Sequence, residues 1–480
     1  MCTTPPSGFK RTTGKLPEKM GKKLGWSECR SFASGLIVGC LLVSMTYFTM
    51  FRNDMELFSD FLKSSAWPSS AAAPANQSVA LLVPRLSEKT DRMAVKGKRQ
   101  ALCDLSAYRT DVCDIHGDVR IVGNDSSTVL VVSSAGDNQS FEIKPYPRKA
   151  DRVVVRKVPT VHVRSLTPAG DAPPSCGVTH AVPGVVFATA GYCGNIFHDI
   201  SDLLLPLFQT TRRFRGRVQL LAVKNQRWWL YKYRHILAKL SDFPVINYDD
   251  DDRVHCFRHA IVGLRADSDL TIDASKSAEG VTMVDFVAFL RGAYSLQHAR
   301  PSGGRGRRPR LLFISRGGSR RFVNLDEVVP VAEEVGFEVV SAEPNFMDVA
   351  AFAETVNSCD VMVGVHGAGL TNMVFLPTGA VLIQVVPLAK LDWIAANYYA
   401  KPAMGMQLKY LQYDILEEES TLIDHYPRDH AVFKDPAAIH KQGWQAMGKI
   451  YLVQQNVRLR KDRFRGVLEQ AMELLEKDRQ

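Results

Sequence analysis

The sequence predicts an α/β protein of two alternating halves that face a cleft, carried behind an N-terminal membrane anchor and a stem. Three observations predict it. Strand-like apolar runs alternate with helix-patterned segments in two series, over 185–240 and again over 310–387. A Gly-, Pro- and Arg-rich break, RPSGGRGRRPR at 300–310, separates the series. Residues 31–51 carry no charge at all.

Residues 1–30 hold seven basic and two acidic side chains and read as a cytosolic tail. The uncharged run 31–51, SFASGLIVGCLLVSMTYFTMF, is long enough to span about 30 Å of hydrocarbon as a helix. Basic residues precede it and Asp54, Glu56 and Asp60 follow it, so the body is expected across the membrane from the tail. A cleaved signal peptide is the rival reading. Its apolar region would be shorter and followed by small residues, whereas this one ends in Tyr47, Phe48, Met50 and Phe51. Residues 52–98, rich in Ser, Ala and Pro, read as a stem.

The net charge of +10 raises nucleic acid as a partner, and its distribution argues against that. The tail accounts for +5, and the stretch 300–321 holds eight arginines and no acid. Charge therefore sits in a tail and a loop instead of on a broad basic face, and no nucleic-acid partner is expected. N-x-Ser/Thr acceptor sites occur at Asn76, Asn124 and Asn138, all beyond the anchor. Six of the nine cysteines also lie there, an even number that fits disulfides in an oxidising lumen. Cys103 and Cys113, ten residues apart, are the preferred pair. No Cys-x-x-Cys pair occurs, and no metal is expected.

The first half, 99–299, opens with strands at 119–122 and 128–133 around a Gly-Asn-Asp turn. VVFATA (185–190) and RVQLLAV (217–223) read as buried strands. Ile196, Ile200, Leu203, Leu204 and Leu207 share a helical face, and 227–240 reads as one helix. This order argues a parallel sheet. After the 300–310 linker the second half, 311–457, alternates four strands with three helical segments over 310–387, as a Rossmann-like domain does. A C-terminal helix, 458–476 within a terminal segment 458–480, is expected to pack back across the cleft.

Three segments carry chemistry. In VMVGVHGAGLTN (361–372) a strand runs into His366, Gly367, Ala368 and Gly369 and then a helix. Ligands bind at such strand ends, where small residues admit a diphosphate and helical N–H groups face it; a tight turn with an internally satisfied histidine is the structural alternative. In ISRGGSRRFVNLDE (314–327), Arg316 also ends a strand and Arg320 and Arg321 follow, in the bidentate chemistry suited to phosphate. A solvated basic loop is the alternative there. In GYCGNIFHDISD (191–202), His198 and Asp199 stand at a strand-to-helix junction where either could take a proton from a hydroxyl, or simply polarise the helix start. The acidic run Asp249–Asp252 reads as a solvated turn, with a metal-dependent nucleotide-sugar site as the rival.

Taken together, CDLSAYRTDVCDIHGDVRI, IKPYPRKAD, GYCGNIFHDISDLLLPLF, VHCFRHAIVGL, NLDEVVPVAEEVGFEVV and VGVHGAGLTNMVFLP resemble glycosyltransferase family 61, in order, from about residue 100 to 475. The similarity is greatest to its grass xylan-decorating members. The resemblance implies a GT-B fold of two Rossmann-like domains, an inverting mechanism without a cofactor, and the Golgi lumen as a type II membrane protein. A UDP-pentose would serve as donor and xylan as acceptor, with arabinofuranose and xylose both open. Assembly with itself or with other Golgi transferases is compatible with it. Other readings are an N-glycan β-1,2-xylosyltransferase and a non-catalytic lumenal glycan binder. By resemblance, Arg316, Arg320 and Asn324 match an Arg-x-x-x-Arg-x-x-x-Asn donor pattern. His366, Gly367, Gly369 and Asn372 match HGAGLTN, and His198 and Asp199 match Phe-His-Asp.

Overall fold

The computed structural model describes residues 101–124, 127–132, 138–166, 172–277, 279–302 and 307–477. The expected tail, anchor and stem, with Asn76, lie outside the described residues, among which no helix is long and apolar enough to cross a membrane.

The protein is a mixed α/β structure with two sheets. The first is built from β1 (Cys103–Asp104), β2 (Val112–Val122), β3 (Thr128–Val132), β4 (Ser140–Ile143), β5 (Val161–Leu166), β6 (Val178–Thr179), β7 (Gly184–Ala188), β8 (Gln219–Val223), β9 (Ile246–Asn247) and β10 (Val254–Val262). Its order is β4-β5-β3-β2-β10-β7-β8-β9, with β1 on β2 and β6 on β10. It is not the parallel sheet that the strand–helix order suggests. Parallel pairing holds for β10-β7-β8-β9, where helices intervene. The pairs β2–β3 and β4–β5 are antiparallel, as are β2–β10 and β1–β2. For β1–β2 and β2–β3 the connections are short, and such strands can only fold back, since a parallel crossover needs a dozen or more residues. Every residue of β7 and β8 is buried, which explains their unbroken apolar sequence.

The second sheet is wholly parallel: β11 (Arg310–Ile314), β12 (Glu338–Ala342), β13 (Val361–Val365), β14 (Val381–Val386) and β15 (Lys409–Asp414), in the order β12-β11-β13-β14-β15. The chain goes one way from β11 to β12 and the other way to β13. Carboxyl ends of two such strands flank a crevice, the usual ligand position of open α/β sheets. The segments bearing Arg316 and His366 leave those two ends.

Alternation along the strands sorts this sheet's two faces. Leu312, Ile314, Met362 and Leu382 join the core that also holds β7, β8 and the helical stretch 196–211, so one apolar core runs between the sheets. Leu311, Phe313, Val363 and Ile383 face the other way, against Phe464, Leu468, Ala471 and Leu475 of the helix Lys461–Lys477. That helix therefore covers the outer face of its own sheet and does not cross the cleft. Its apolar residues, spaced three or four apart, fill one stripe, and the second sheet supplies the matching face.

Two other expectations change. The 227–240 segment is two helices, Arg227–Lys232 and Arg234–Leu240, broken at Tyr233. The 300–310 linker is shorter than its composition suggests, because Arg310 already opens β11. Asp360 accepts the Ser302 and Arg310 amides at 2.6 and 2.8 Å, pinning both sides of the Arg-rich stretch to the second sheet. Cys103 and Cys113 form a disulfide between paired β1 and β2, and a second joins Cys176 to Cys256.

Candidate active site

Arg316 and Arg320 lie beside each other beyond β11. Both are half-buried, with Arg316 Nη1 and Arg320 Nε sealed from solvent, and among the described residues no carboxylate forms an ion pair with either. Arg320 takes a left-handed backbone (φ 57°) and its amide bonds to the Gln455 carbonyl at 2.9 Å. Its Nη1 donates to the His366 carbonyl at 2.8 Å, so the arginine after β11 clasps the turn after β13. Arg320 Nε and Arg316 Nη1 have no hydrogen-bond partner. A Cβ on Gly367 (φ 142°) would stand 2.4 Å from Arg320 Nη1 and 2.7 Å from Arg316 Nη1. Only glycine admits both guanidiniums here. Burial, then the charge of Arg316, pushes the Arg320 guanidinium down to about 9, and burial lowers Arg316 too. Two buried like charges are costly unless something negative joins them.

His366 completes this wall. Burial, then Arg320 and Arg316, pushes its imidazole down to about 3, so it is neutral. Gln384 Nε2 lies 2.7 Å from Nδ1, while the Tyr410 hydroxyl stands 2.9 Å from both Gln384 Oε1 and Gln412 Oε1. An amide nitrogen can only donate. Nδ1 therefore accepts and the ring proton sits on Nε2. Ala368 and Gly369, partly exposed, open a 3₁₀ helix, Ala368–Phe375, where a turn followed by a helix is expected. Asn372 braces the turn through its Nδ2 on the Gly369 carbonyl, 2.8 Å.

The other wall begins where Asn195 caps the helical stretch 196–211 through the Phe197 amide. His198 and Asp199, indistinguishable by sequence, have different surroundings. Asp199 accepts the Gly194 amide (2.9 Å), Trp229 Nε1 (2.8 Å) and the Tyr233 hydroxyl (2.8 Å), with Lys232 Nζ at 3.5 Å. Its carboxylate is fully buried and saturated, a staple holding the two broken helices to this one. His198 instead places Nδ1 2.7 Å from Asp202 Oδ2, one turn on. Asp202 also accepts Arg109 and Arg148, both at 2.7 Å, and these arginines reach Asp269 as well. Burial would raise the Asp202 carboxyl, but Arg148 and then His198 outweigh it and hold it well below the usual carboxylate range. An ionised Asp202 can only accept, so Nδ1 of His198 carries the proton and Nε2 the basic lone pair. Burial lowers His198, against Asp202, keeping it in the neutral, proton-accepting form.

A chain of ring contacts joins the walls. Phe197 packs on His198 (5.3 Å), Tyr398 (5.4 Å) and Tyr399 (6.1 Å), and Tyr399 packs edge-on to His366 (5.4 Å). The structure thus brings together His198, Arg316, Arg320, His366, Gly367, Ala368, Gly369 and Asn372. It places Asn324 elsewhere. Its amide donates to the Leu459 carbonyl (2.9 Å) and accepts the Leu459 amide (3.0 Å), tying the start of the helix Leu325–Val335 to the strand-like segment before the last helix. In the acidic run, Asp249 accepts the Asn225 amide and Asp251 pairs with Arg253, as in a local turn. Asp114, His116 and His259 lie together on β2 and β10, where Asp114 pairs with His259 and Arg213. Asn124 and Asn138 are exposed.

Sequence reasoning missed Asp202, Arg109, Arg148, Asp269, Gln384 and Tyr399. Two signals were available: the four-residue spacing of His198 and Asp202 on one helix face, and a lone glutamine inside the apolar run VLIQVV.

The fold and site together define a two-sheet α/β protein in which two arginines without an ion-pair partner and a histidine hydrogen-bonded to a buried carboxylate are joined by a chain of aromatic contacts. Residues 196–383 match the family described as Glycosyltransferase 61. The chain is 46% identical over 393 residues to beta-1,2-xylosyltransferase XYXT1 of Oryza sativa subsp. japonica, covering 78% of this chain and 84% of that one. It is 47% identical over 380 residues to alpha-1,3-arabinosyltransferase XAT3 of the same organism, covering 78% of this chain and 65% of the relative, just under two thirds of that length. To xylan glycosyltransferase MUCI21 of Arabidopsis thaliana it is 36% identical over 405 residues, 80% of each. The chain belongs to the Glycosyltransferase 61 family.

Two outcomes are expected. Asn324→Ala leaves the buried Leu459 amide and carbonyl unpaired and should lower unfolding stability by about 2–4 kcal/mol, with UDP affinity of the folded protein unchanged. A loss of UDP affinity at full stability would return Asn324 to the donor site. Gln384→Glu puts an acceptor against His366 Nδ1 and moves a proton there. At low pH the doubly protonated ring still donates from Nε2; as pH rises that proton leaves and a bare lone pair meets the anion. UDP affinity of the variant, titrated across about pH 5.5–8.5, should therefore fall with pH, while His366 adds no pH dependence to the unsubstituted protein.

Proposed function

We propose that this chain is an inverting GT-B glycosyltransferase that moves a pentose, arabinofuranose or xylose, from a UDP-sugar onto the xylan of plant cell walls. The second half would be the donor domain and the first the acceptor domain. Its setting would be the Golgi lumen, behind the 31–51 signal anchor. The carrying observation is the pair of buried guanidiniums, Arg316 and Arg320, packed on Gly367 without a carboxylate. A diphosphate supplies the missing negative charge. The names of the relatives, arabinosyl- and xylosyltransferases and a xylan glycosyltransferase, support the sugar and the acceptor.

In this reading Arg316, Arg320 and Nε2–H of His366 bind the diphosphate. As the bond between the anomeric carbon and the UDP oxygen breaks, negative charge grows on the leaving group. The guanidiniums, already oriented and desolvated, stabilise it more in the transition state than in the ground state. A xylan hydroxyl attacks the anomeric carbon from the opposite face, inverting it. His198 Nε2 accepts the hydroxyl proton, and Asp202 stabilises the imidazolium that results. The guanidiniums supply the positive charge, so no metal or other cofactor is required.

The purified protein incubated with UDP-pentoses and xylo-oligosaccharides should give pentosylated products with inverted anomeric configuration. Arg320→Ala should lower kcat by about 10²–10³-fold, the usual effect of removing one transition-state charge partner. Full turnover by that variant would dismiss the donor site; absence of any pentose transfer to xylan would dismiss the substrate assignment.

A further inference from the structure

The histidine wall carries aromatic surface that the proton transfer itself does not use. Trp393 is 39% exposed, and its ring centroid lies 6.4 Å from that of Tyr398 at 60°. Tyr398 is partly buried and packs on Phe197, which packs in turn on His198. The rings therefore lead from solvent to the base. Tyr398 also stands in the field of Asp269, Arg148, Arg109 and Asp202.

That ionic group is graded in accessibility. Asp202 is sealed, whereas the Asp269 side chain keeps 21% of its surface exposed and Arg109 10%. Arg109 Nε has no hydrogen-bond partner, a buried donor left over after Asp202 and Asp269 are served. With two arginines against two aspartates the group is balanced and does not select a charged ligand. Aromatic faces beside a few convergent polar groups suit a neutral, hydroxyl-rich ring, its C–H face on the aromatics and its hydroxyls on carboxylate and guanidinium.

We infer that Trp393 and Tyr398 form a platform for a sugar ring of a neutral glycan acceptor, with Asp269 and Arg109 taking its hydroxyls. The inference rests on the proposed transferase reading for its acceptor, and it adds the subsite that presents the chain to His198. Nothing in the donor wall is needed for it. Glycan and UDP binding are therefore separable, and a tenfold loss of one without the other is the signature.

The test is calorimetric titration of the full-length protein, without donor, with xylohexaose, cellohexaose and mannohexaose, and separately with UDP. Trp393→Ala and Tyr398→Ala should each weaken oligosaccharide binding about tenfold or more, a typical hot-spot loss, and leave UDP binding intact. Trp393→Phe, which keeps a ring face, should recover most of it. Binding of cellohexaose or mannohexaose in place of xylohexaose, lost in the same variants, would support the platform while removing xylan as the acceptor. Oligosaccharide binding unchanged in both variants, equal loss of UDP binding, or no binding of any oligosaccharide by the unsubstituted protein would each overturn the platform.

Discussion

Two guanidinium groups buried side by side, with no carboxylate between them, are the constraint on which the rest of the site depends. Burying one uncompensated charge costs several kcal/mol, and two like charges repel as well. Three features of the surroundings accommodate Arg316 and Arg320. Gly367 removes the Cβ that would collide with both. The carbonyl of His366 takes one N–H of Arg320. His366 stays neutral, since a third cation there would add to the imbalance. Reversal of strand order between β11 and β13 makes the convergence geometrically available, because it sets two strand ends side by side with an opening above them.

The facing wall solves the opposite problem. There Arg109 and Arg148 meet Asp202 and Asp269, and charge is balanced within the protein. A balanced, buried network does not attract an ion; it fixes geometry. Its effect falls on His198, whose Nδ1 is committed to Asp202 so that Nε2 is the basic atom. One wall thus carries unbalanced positive charge and the other a balanced network around a histidine, an asymmetry that fits the displacement proposed above. The Phe197–Tyr399 ring contacts keep the two walls at a fixed spacing within one continuous apolar core.

Much of this was legible in the sequence, and the boundary of legibility is physical. The second half reads well because the inner parallel strands β11, β13 and β14 are almost wholly apolar and separated by helices, so composition marks them, while β12 at the sheet edge is part-exposed. Arg316, Arg320 and His366 were legible because polar residues directly after such strands can only lie at the sheet edge. The first sheet read less well, since short antiparallel strands depend on which neighbour they meet. His198 and Asp199 are adjacent in sequence and point to different partners, one to Asp202 and one to Trp229 and Tyr233, a distinction made by helix rotation. Asn324 shares a sequence pattern with the two arginines and yet serves Leu459, a residue 135 positions away. The direction taken by the last helix was equally closed to sequence, because an amphipathic stripe states that a partner exists without stating which.

The central claim is that this buried cationic pair exists for a diphosphate. It is tested most directly by comparing the affinities of UDP and uridine for the protein in buffer containing a chelator. The account predicts that UDP binds at least about 100-fold more tightly, a difference of roughly 3 kcal/mol for two desolvated charge-assisted contacts, and that the difference disappears when Arg316 and Arg320 are both replaced by alanine. Equal binding of UDP and uridine, or a preference that persists without the two arginines, would contradict it.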